Sequence, residues 1–344
     1  MLYIFEPMES SAGMVETTKR ILITGASGFL GGAMATSFAS RPGYHVIATS
    51  RRQADLGDNV TYIRGDLCDT AFCDVITRGI EYIVHCAALS SPWGGYEEFE
   101  RANVTATRNL VEAAIKNSVR RFVSIGTPSI YFNYTDRFNV REDEPLPAKM
   151  VNWYAHTKLM SELYVLGKCN EGIETLALRP RAIIGAGDTT IFPRLLKAHM
   201  DNKLRVIGNG QVICDLTCVS NVIRAADAAM SATSEALGRA YNISDGAPVK
   251  LWELINYVFS QLGYATVEKK MPFSLAASYA SLMEWKYKNF NKGEEPPLTR
   301  FGIGVLGKSM TMNIDQARRL LQYTPIQTTT EGIDEFISWF KKRV

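Results

Sequence analysis

The chain has 344 residues, 46% of them hydrophobic and 21% charged, the composition of a soluble globular protein large enough for one big domain or two unequal ones. Its 38 basic residues against 35 acidic ones leave a formal net charge of +3, with no long run of one sign, which argues against a dedicated nucleic-acid surface. Six cysteines (Cys68, Cys73, Cys86, Cys169, Cys214, Cys218) lack zinc-knuckle spacing and the four histidines are scattered, so no metal site is expected and reduced thiols in a cytoplasmic protein are.

Residues 1–18 carry Leu2, Ile4 and Phe5 but no basic leader, and Glu6, Glu9 and Glu16 make a poor signal peptide. A mobile extension is expected there, with Met8 and Met14 as alternative starts. From Arg20 the chain alternates β-branched runs with helical patterns. Strands are expected at 21–24, 44–50, 60–64, 82–86, 121–125 and 176–178, and helices from about 29 to 40, 71–78, 96–117 and 154–169. Such alternation requires crossover connections and therefore a parallel sheet covered on both faces. After Arg179-Pro180 the rhythm loosens into helices near 191–199, 220–231 and 251–262 and a short strand at 204–207. The fold class is therefore α/β: a doubly wound parallel (Rossmann) sheet from 19–180 and 212–245, with a smaller α+β substrate domain from 181–211 and 246–344. No apolar run approaches the roughly 20 residues needed to span a bilayer.

Between the first strand and the first helix lies Thr24-Gly25-Ala26-Ser27-Gly28-Phe29-Leu30-Gly31. Gly25 permits the tight turn, Gly28 lets backbone approach a pyrophosphate, and Gly31 lets helix pack on strand. The free N–H groups of the helix start suit phosphates, so cofactor contacts are expected at Gly25, Ser27, Gly28, Phe29, Leu30 and Gly31. The second strand ends Ala48-Thr49-Ser50-Arg51-Arg52 without the carboxylate that usually bonds an NAD ribose. Ser50 and Arg51 suit a 2′-phosphate, which predicts NADP(H) over NAD(H); the plainer alternative is a pair of surface arginines in a loop. Asp66-Leu67 after the third strand suits the adenine amine, and Ala87-Ala88 after the fourth leaves room for the cofactor backbone.

Tyr154-Ala155-His156-Thr157-Lys158 places a phenol and an ammonium on one helix face, four residues apart. A free tyrosine has a pKa of roughly 10, so proton exchange near neutrality needs a neighbouring cation. Taken alone, such a pair is a half-buried aromatic and a solvated lysine; it is the glycine turn and the hydroxyls after the fifth strand that point to chemistry. His156, two positions from Tyr154, faces elsewhere and is expected to be structural or exposed. Phe273 to Phe290 is dense in large apolar side chains and reads as a core helix of the small domain, an apolar lid, or an interfacial helix able to touch a membrane.

Thr24 to Gly31, Asp66-Leu67, Ala87-Ala88 and the Tyr154/Lys158 pair together resemble the extended short-chain dehydrogenase/reductase superfamily, the epimerase/dehydratase group, from Arg20 almost to the end. Thr127-Pro128-Ser129, Leu178-Arg179-Pro180-Arg181 with Gly185-Ala186-Gly187-Asp188, and Glu295 to Phe301 are similar to the 3β-hydroxysteroid dehydrogenase branch, and within it to bacterial 2-alkyl-3-oxoalkanoate reductases. Gly126 departs from that branch, which usually has Ser or Thr there, and the N-terminal extension has no counterpart. The resemblance implies hydride transfer with Tyr154 as proton donor, Thr127 as the hydroxyl partner (Ser124 and Ser129 as fallbacks), Lys158 lowering the tyrosine pKa and holding the ribose, and Asn103 in a proton relay. It also implies Pro180 and Ile183 beside the cofactor, substrate contacts at Trp93, Ser129 and Phe192, and a homodimer through the 96–117 and Tyr154 helices. Trp93 and the 273–290 stretch favour a small hydrophobic substrate, a 3-oxoacyl or steroid type, over a nucleotide sugar. A nucleotide-sugar epimerase or reductase on the same scaffold is the alternative, and a non-catalytic NADP-sensing regulator a remote one.

Overall fold

The computed structural model describes residues 18–291 and 293–343, so the expected N-terminal extension lies, through residue 17, outside the described residues. In chain order the first half contains β1 (Lys19–Thr24), α1 (Phe29–Ala39), β2 (Tyr44–Ser50), β3 (Val60–Arg64), α2 (Thr70–Ile76), β4 (Tyr82–His85), α3 (Tyr96–Phe99), α4 (Ala106–Lys116), β5 (Arg121–Ile125), β6 (Arg137–Val140), α5 (Trp153–Gly167) and β7 (Glu174–Pro180). The second half contains β8 (Ile183–Ile184), α6 (Phe192–Met200), β9 (Val206–Ile207), β10 (Ile213–Cys214), β11 (Thr217–Cys218), α7 (Val219–Met230), β12 (Arg239–Ile243) and β13 (Val249–Lys250). It continues with α8 (Leu251–Gln261), β14 (Lys270–Met271), α9 (Phe273–Phe290), α10 (Arg300–Gly307), β15 (Met310–Met312), α11 (Asp315–Leu320) and α12 (Thr329–Lys341).

The main sheet has seven parallel strands in the order β12-β7-β5-β4-β1-β2-β3. Strand order reverses between β1 and β4, and the glycine turn leaves β1 at that switch point, where open α/β sheets bind ligands. Period-two alternation divides the strands cleanly. Ile21 and Ile23 face a core shared with Met34 and Phe38 of α1 and Val222 of α7, while Leu22 faces the opposite layer with Leu110 of α4, Phe122 and Val165 of α5. Both faces are apolar because both carry helices.

The tail builds a second core around Phe192, Trp252, Phe259 and Phe336. It also returns to the first: Met310, Met312, Ile314, Leu321 and Tyr323 pack with the main-sheet core. A four-stranded sheet in the order β13-β10-β15-β6 ties that return to Arg137–Val140.

The helix expected over 96–117 runs without a gap from Tyr96 to Lys116 through α3, a π-helical segment, Glu100–Thr105, which contains Asn103, and α4. The 273–290 helix has the expected span, but its buried side chains are only Ala276 and Ala280; Leu275, Tyr279, Leu282, Trp285 and Phe290 are exposed. The helix therefore meets the body through small residues, with Phe273 at its start packed on the second core, and leaves most of its large side chains outward.

Candidate active site

The glycine turn meets the demands of a dinucleotide. Gly25 has φ +71, and a Cβ there would lie 2.7 Å from the Ala87 backbone nitrogen; a Cβ on Gly31 would lie 2.4 Å from the Gly25 carbonyl oxygen. Any side chain at either position would wedge β1, β4 and α1 apart. Gly28 caps α1 without a side-chain cap, so the first-turn N–H groups of an 11-residue helix are left for an anion. Ser27, Phe29 and Leu30 are half-buried at the same mouth, and Phe29 lies against Gly187. The residues therefore fit a nicotinamide dinucleotide.

Beneath the turn, Thr24, His85 and Thr107 form a buried chain: Thr24 Oγ1 to His85 Nδ1 at 2.8 Å, and His85 Nε2 to Thr107 Oγ1 at 2.9 Å. Thr107 Oγ1 donates to the Asn103 carbonyl at 2.6 Å, so it must accept from His85; Thr24 Oγ1, which accepts from Ala87 N–H, donates to Nδ1. His85 is therefore the neutral Nε2–H tautomer, and burial pushes its pKa down to about 3, with Lys158 adding to the effect.

At the adenosine end, Asp66 accepts from Cys68 N–H at 3.0 Å and pairs with Arg101 at 3.3 Å, and these contacts lower its pKa. Leu67 is buried. The Ser50 hydroxyl is occupied by Tyr62 OH (2.6 Å) and the Arg52 carbonyl (2.7 Å), whereas the Arg51 and Arg52 side chains are exposed and have no ion pair among the described residues. Ala87 and Ala88 line the loop leaving β4; Pro180 ends β7 and Ile183 opens β8.

Asn152 caps α5 by accepting from Ala155 N–H at 2.8 Å, which fixes the helix start at Trp153, one residue before Tyr154. The half-buried Tyr154 phenol lies beside the hydroxyls of Thr127 and of Ser90, both of which favour its ionised form. Ser90, on the loop after β4, was not anticipated; only a Ser-Ser pair following the Ala87-Ala88 stretch hinted at it. Thr127 also accepts from Ser129 N–H (3.2 Å) and donates to Ser129 Oγ (3.1 Å), which brings Ser129 into the cluster. Ser124 is buried in β5.

Burial raises the Tyr154 pKa, the two hydroxyls only partly opposing it. Lys158 does not supply the expected lowering here: its ammonium donates to the Ile125 carbonyl at 2.6 Å, and its own pKa is pushed down to about 8 by burial. Desolvation outweighs the Coulombic help of Glu162, one turn further along α5. Glu162 is itself buried and clamped by Arg179, whose Nη1 donates to Tyr131 OH.

Asn103 is placed by the π segment so that its amide oxygen accepts from Leu89 N–H (2.7 Å) and its nitrogen donates to Thr157 Oγ1 (3.0 Å) and the Leu89 carbonyl (3.3 Å). These partners hold the Ser90 loop against α5; the relay expected of Asn103 has no direct bond to Tyr154 or Lys158. Trp93 is half-buried in a Ser91-closed turn near that loop. Phe192, expected near substrate, instead packs in the second core with its ring 4.9 Å from that of Phe336, because Asp188 draws the start of α6 inward. His156 joins Trp153 and Tyr96 in an aromatic cluster away from the phenol. The six cysteines are free, and the described residues contain no group of His, Cys, Asp or Glu able to hold a metal. No described helix is long and apolar enough to cross a membrane.

Residues 21–244 match the NAD dependent epimerase/dehydratase family. The chain is 32% identical over 329 residues to a 2-alkyl-3-oxoalkanoate reductase of Stenotrophomonas maltophilia, covering 91% of this chain and 97% of that protein. It is 27% identical to the sterol-4-alpha-carboxylate 3-dehydrogenase, decarboxylating, of Bos taurus, over 95% and 94% of the two chains. Among solved structures, the UDP-glucuronic acid 4-epimerase of Bacillus cereus in complex with NAD superposes with a TM-score of 0.73 at 22% identity, covering 94% of this chain and 99% of that one.

Proposed function

The chain belongs to the NAD dependent epimerase/dehydratase family, a family of nicotinamide-dependent enzymes, and on that premise we propose that it is an NADP(H)-dependent oxidoreductase moving hydride between nicotinamide and a ketone or secondary alcohol of a hydrophobic substrate. One observation carries the reading: a half-buried phenol, Tyr154, beside two hydroxyls, Thr127 and Ser90, at the carboxyl edge of β5 and β4. Nicotinamide, when bound, supplies or takes the hydride. The chain's residues manage the oxygen. In reduction, Thr127 and Ser90 hold the substrate oxygen by hydrogen bonds while Tyr154 gives its proton to the forming alkoxide, so that ketone, hydride and one proton become alcohol. Lys158 lies one helical turn from Tyr154, where it holds the ribose hydroxyls of the cofactor. Asn103 acts at one remove, by fixing the Ser90 loop to Thr157.

The names of the two relatives both specify an acid, 3-oxoalkanoate and sterol carboxylate, which supports a 3-oxo or 3-hydroxy acid with a long apolar part. The likeness to a UDP-glucuronic acid 4-epimerase favours a second reading, a nucleotide-sugar epimerase or reductase. NADPH oxidation assayed against 3-oxoacyl compounds, ketosteroids and nucleotide sugars decides between them; turnover confined to nucleotide sugars overturns the first. Tyr154→Phe keeps cofactor binding and loses about 10²–10⁴-fold in turnover; near-normal turnover refutes the assignment.

For the cofactor, exposed Arg51 and Arg52 beside a β2 end without a carboxylate support NADP(H), since an arginine matches a 2′-phosphate in charge and geometry. Arg51→Ala then weakens NADPH about tenfold or more while leaving NADH nearly unaffected; a wild-type preference for NADH contradicts it. The protein is further read as a cytoplasmic homodimer through α3, α4 and α5, with peripheral membrane contact through α9.

A further inference from the structure

Three arginines are buried, and two are fully partnered. Arg121 pairs with Glu174 at 2.6 Å and donates to the carbonyls of Ala229 and Met230, and Arg179 pairs with Glu162 at 2.5 Å and donates to Tyr131. Arg181 differs. It is 8% exposed, yet its side chain has no hydrogen bond and no ion pair among the described residues. Its Nε is fully enclosed without a partner, so the little surface that Arg181 keeps includes the two terminal nitrogens. Burial accordingly pushes its pKa below the ordinary arginine value. The neighbouring carboxylate, Asp215, also buried, accepts from Met312 N–H at 2.6 Å and makes neither a hydrogen bond nor an ion pair with Arg181, so it acts on the guanidinium only through its charge at a distance.

Position adds the second half of the argument. Arg181 N–H donates to the Ile243 carbonyl, so the residue leaves the sheet directly at the carboxyl ends of β7 and β12. Ile125 of β5 registers with Leu178 of β7, and Gly126 N–H still bonds the Leu178 carbonyl. Extending that register by two residues sets Thr127 across from Pro180. Arg181 thus departs from the same edge as the hydroxyl that meets Tyr154, one strand over. The next residue, Ala182, takes a left-handed φ of 41, which turns the chain sharply after the guanidinium.

A guanidinium held in low dielectric with its fork unbonded is biased toward taking a bonded anion, and that planar fork matches a carboxylate through two parallel N–H···O bonds. We propose that Arg181 receives the carboxylate of the substrate, making the enzyme selective for a 3-oxo or 3-hydroxy acid over the corresponding neutral ester, an inference that rests on the ketone-reductase reading above. The hydroxyls at Thr127 and Ser90 hold the reacting oxygen; Arg181 fixes the other polar end and so sets which carbon faces the hydride.

The test compares kcat/KM for 3-oxodecanoate and methyl 3-oxodecanoate, with NADPH, in the wild type, Arg181→Met and Arg181→Lys. Wild type prefers the acid; Arg181→Met reduces the acid-to-ester ratio about ten- to a hundredfold, and Arg181→Lys restores part of it. Thermal melts without ligand give an independent readout, because removing an unpaired buried charge does not lower the melting temperature whereas removing a structural arginine does. An unchanged acid-to-ester ratio, or a melt lowered with equal loss on both substrates, overturns the proposal. A higher Kd for NADPH with an unchanged ratio assigns the guanidinium to a cofactor phosphate and overturns it too. If neither compound is reduced, the reaction reading fails separately. Tryptophan-fluorescence titration of 3-hydroxydecanoate and its methyl ester, with NADP present, then still decides: tighter binding of the acid that Arg181→Met abolishes supports the carboxylate site, and equal binding overturns it.

Discussion

Gly126 illustrates how one missing atom organises the neighbourhood of a reacting residue. A Cβ there would stand 2.6 Å from Glu162 Oε2 and 3.2 Å from Arg179 Cγ, and Glu162 cannot step aside because Arg179 grips both its oxygens. The departure from Ser or Thr at this position is the counterpart of a buried carboxylate one turn from Lys158. Gly126→Ala is therefore expected to destabilise by about 1–3 kcal/mol in urea unfolding, and a neutral result contradicts the packing argument. His85 gives a second residue-scale expectation. Its folded pKa of about 3 lies below the ordinary 6.5, so between those values the unfolded chain takes up a proton that the folded chain refuses. Stability then falls as pH is lowered through that window, at up to about 1.4 kcal/mol per pH unit. Urea midpoints from pH 6.5 to 5 check the sign, and His85→Gln makes the slope shallower, the buried carboxylates Glu142 and Asp215 keeping their own contribution.

Among elements, the π segment does what neither flanking helix can. An extra residue in the turn rotates Asn103 inward, where one amide reaches both Leu89 and Thr157 and so fixes the Ser90 loop to α5. Asn103→Ala leaves three buried bonds unmade, and misplacing reacting groups by an ångström costs up to about a hundredfold in rate. Lower kcat with little change in NADPH binding is expected; loss of cofactor binding instead would mean that the segment supports the dinucleotide mouth. What was legible beforehand follows the same division. The glycine turn and the Tyr154/Lys158 spacing are local patterns, and Gly25, Gly31 and the α5 start lie as the sequence reading has them. Ser90 at the phenol, the Thr24–His85–Thr107 chain and the unpartnered state of Arg181 arise from contacts between residues tens of positions apart, so no window of sequence contains them. The Lys158 expectation illustrates the limit well: helical spacing brings its ammonium near, but only the fold reveals that burial dominates both pKa values. Phe192 shows the converse, because apolar composition states that a side chain avoids water and not which surface covers it.

At the scale of the whole molecule, two faces bear large side chains that the described residues do not cover, and they call for different partners. One lies on α3 and α5, where Tyr96, Trp153 and Leu163 are exposed among charged residues of α4 such as Arg108, Glu112 and Lys116; mixed charge with a small apolar centre suits a self-complementary contact between two copies. The other is α9, where Leu275, Tyr279, Leu282, Trp285 and Phe290 are exposed together with the cations Lys286 and Lys288. Aromatic and aliphatic side chains interleaved with lysines suit an anionic lipid surface, which takes both the apolar insertion and the charge. The two assignments separate cleanly. On the proposed homodimer and lipid contact, Leu163→Glu is expected to shift sedimentation velocity from dimer to monomer without altering cosedimentation with vesicles containing phosphatidylserine, whereas Leu282→Ser with Trp285→Ser is expected to abolish cosedimentation and leave the dimer. Dissociation of the dimer by the α9 pair, with vesicle binding absent in the wild type, would instead make α9 the subunit interface and leave the lipid contact without support.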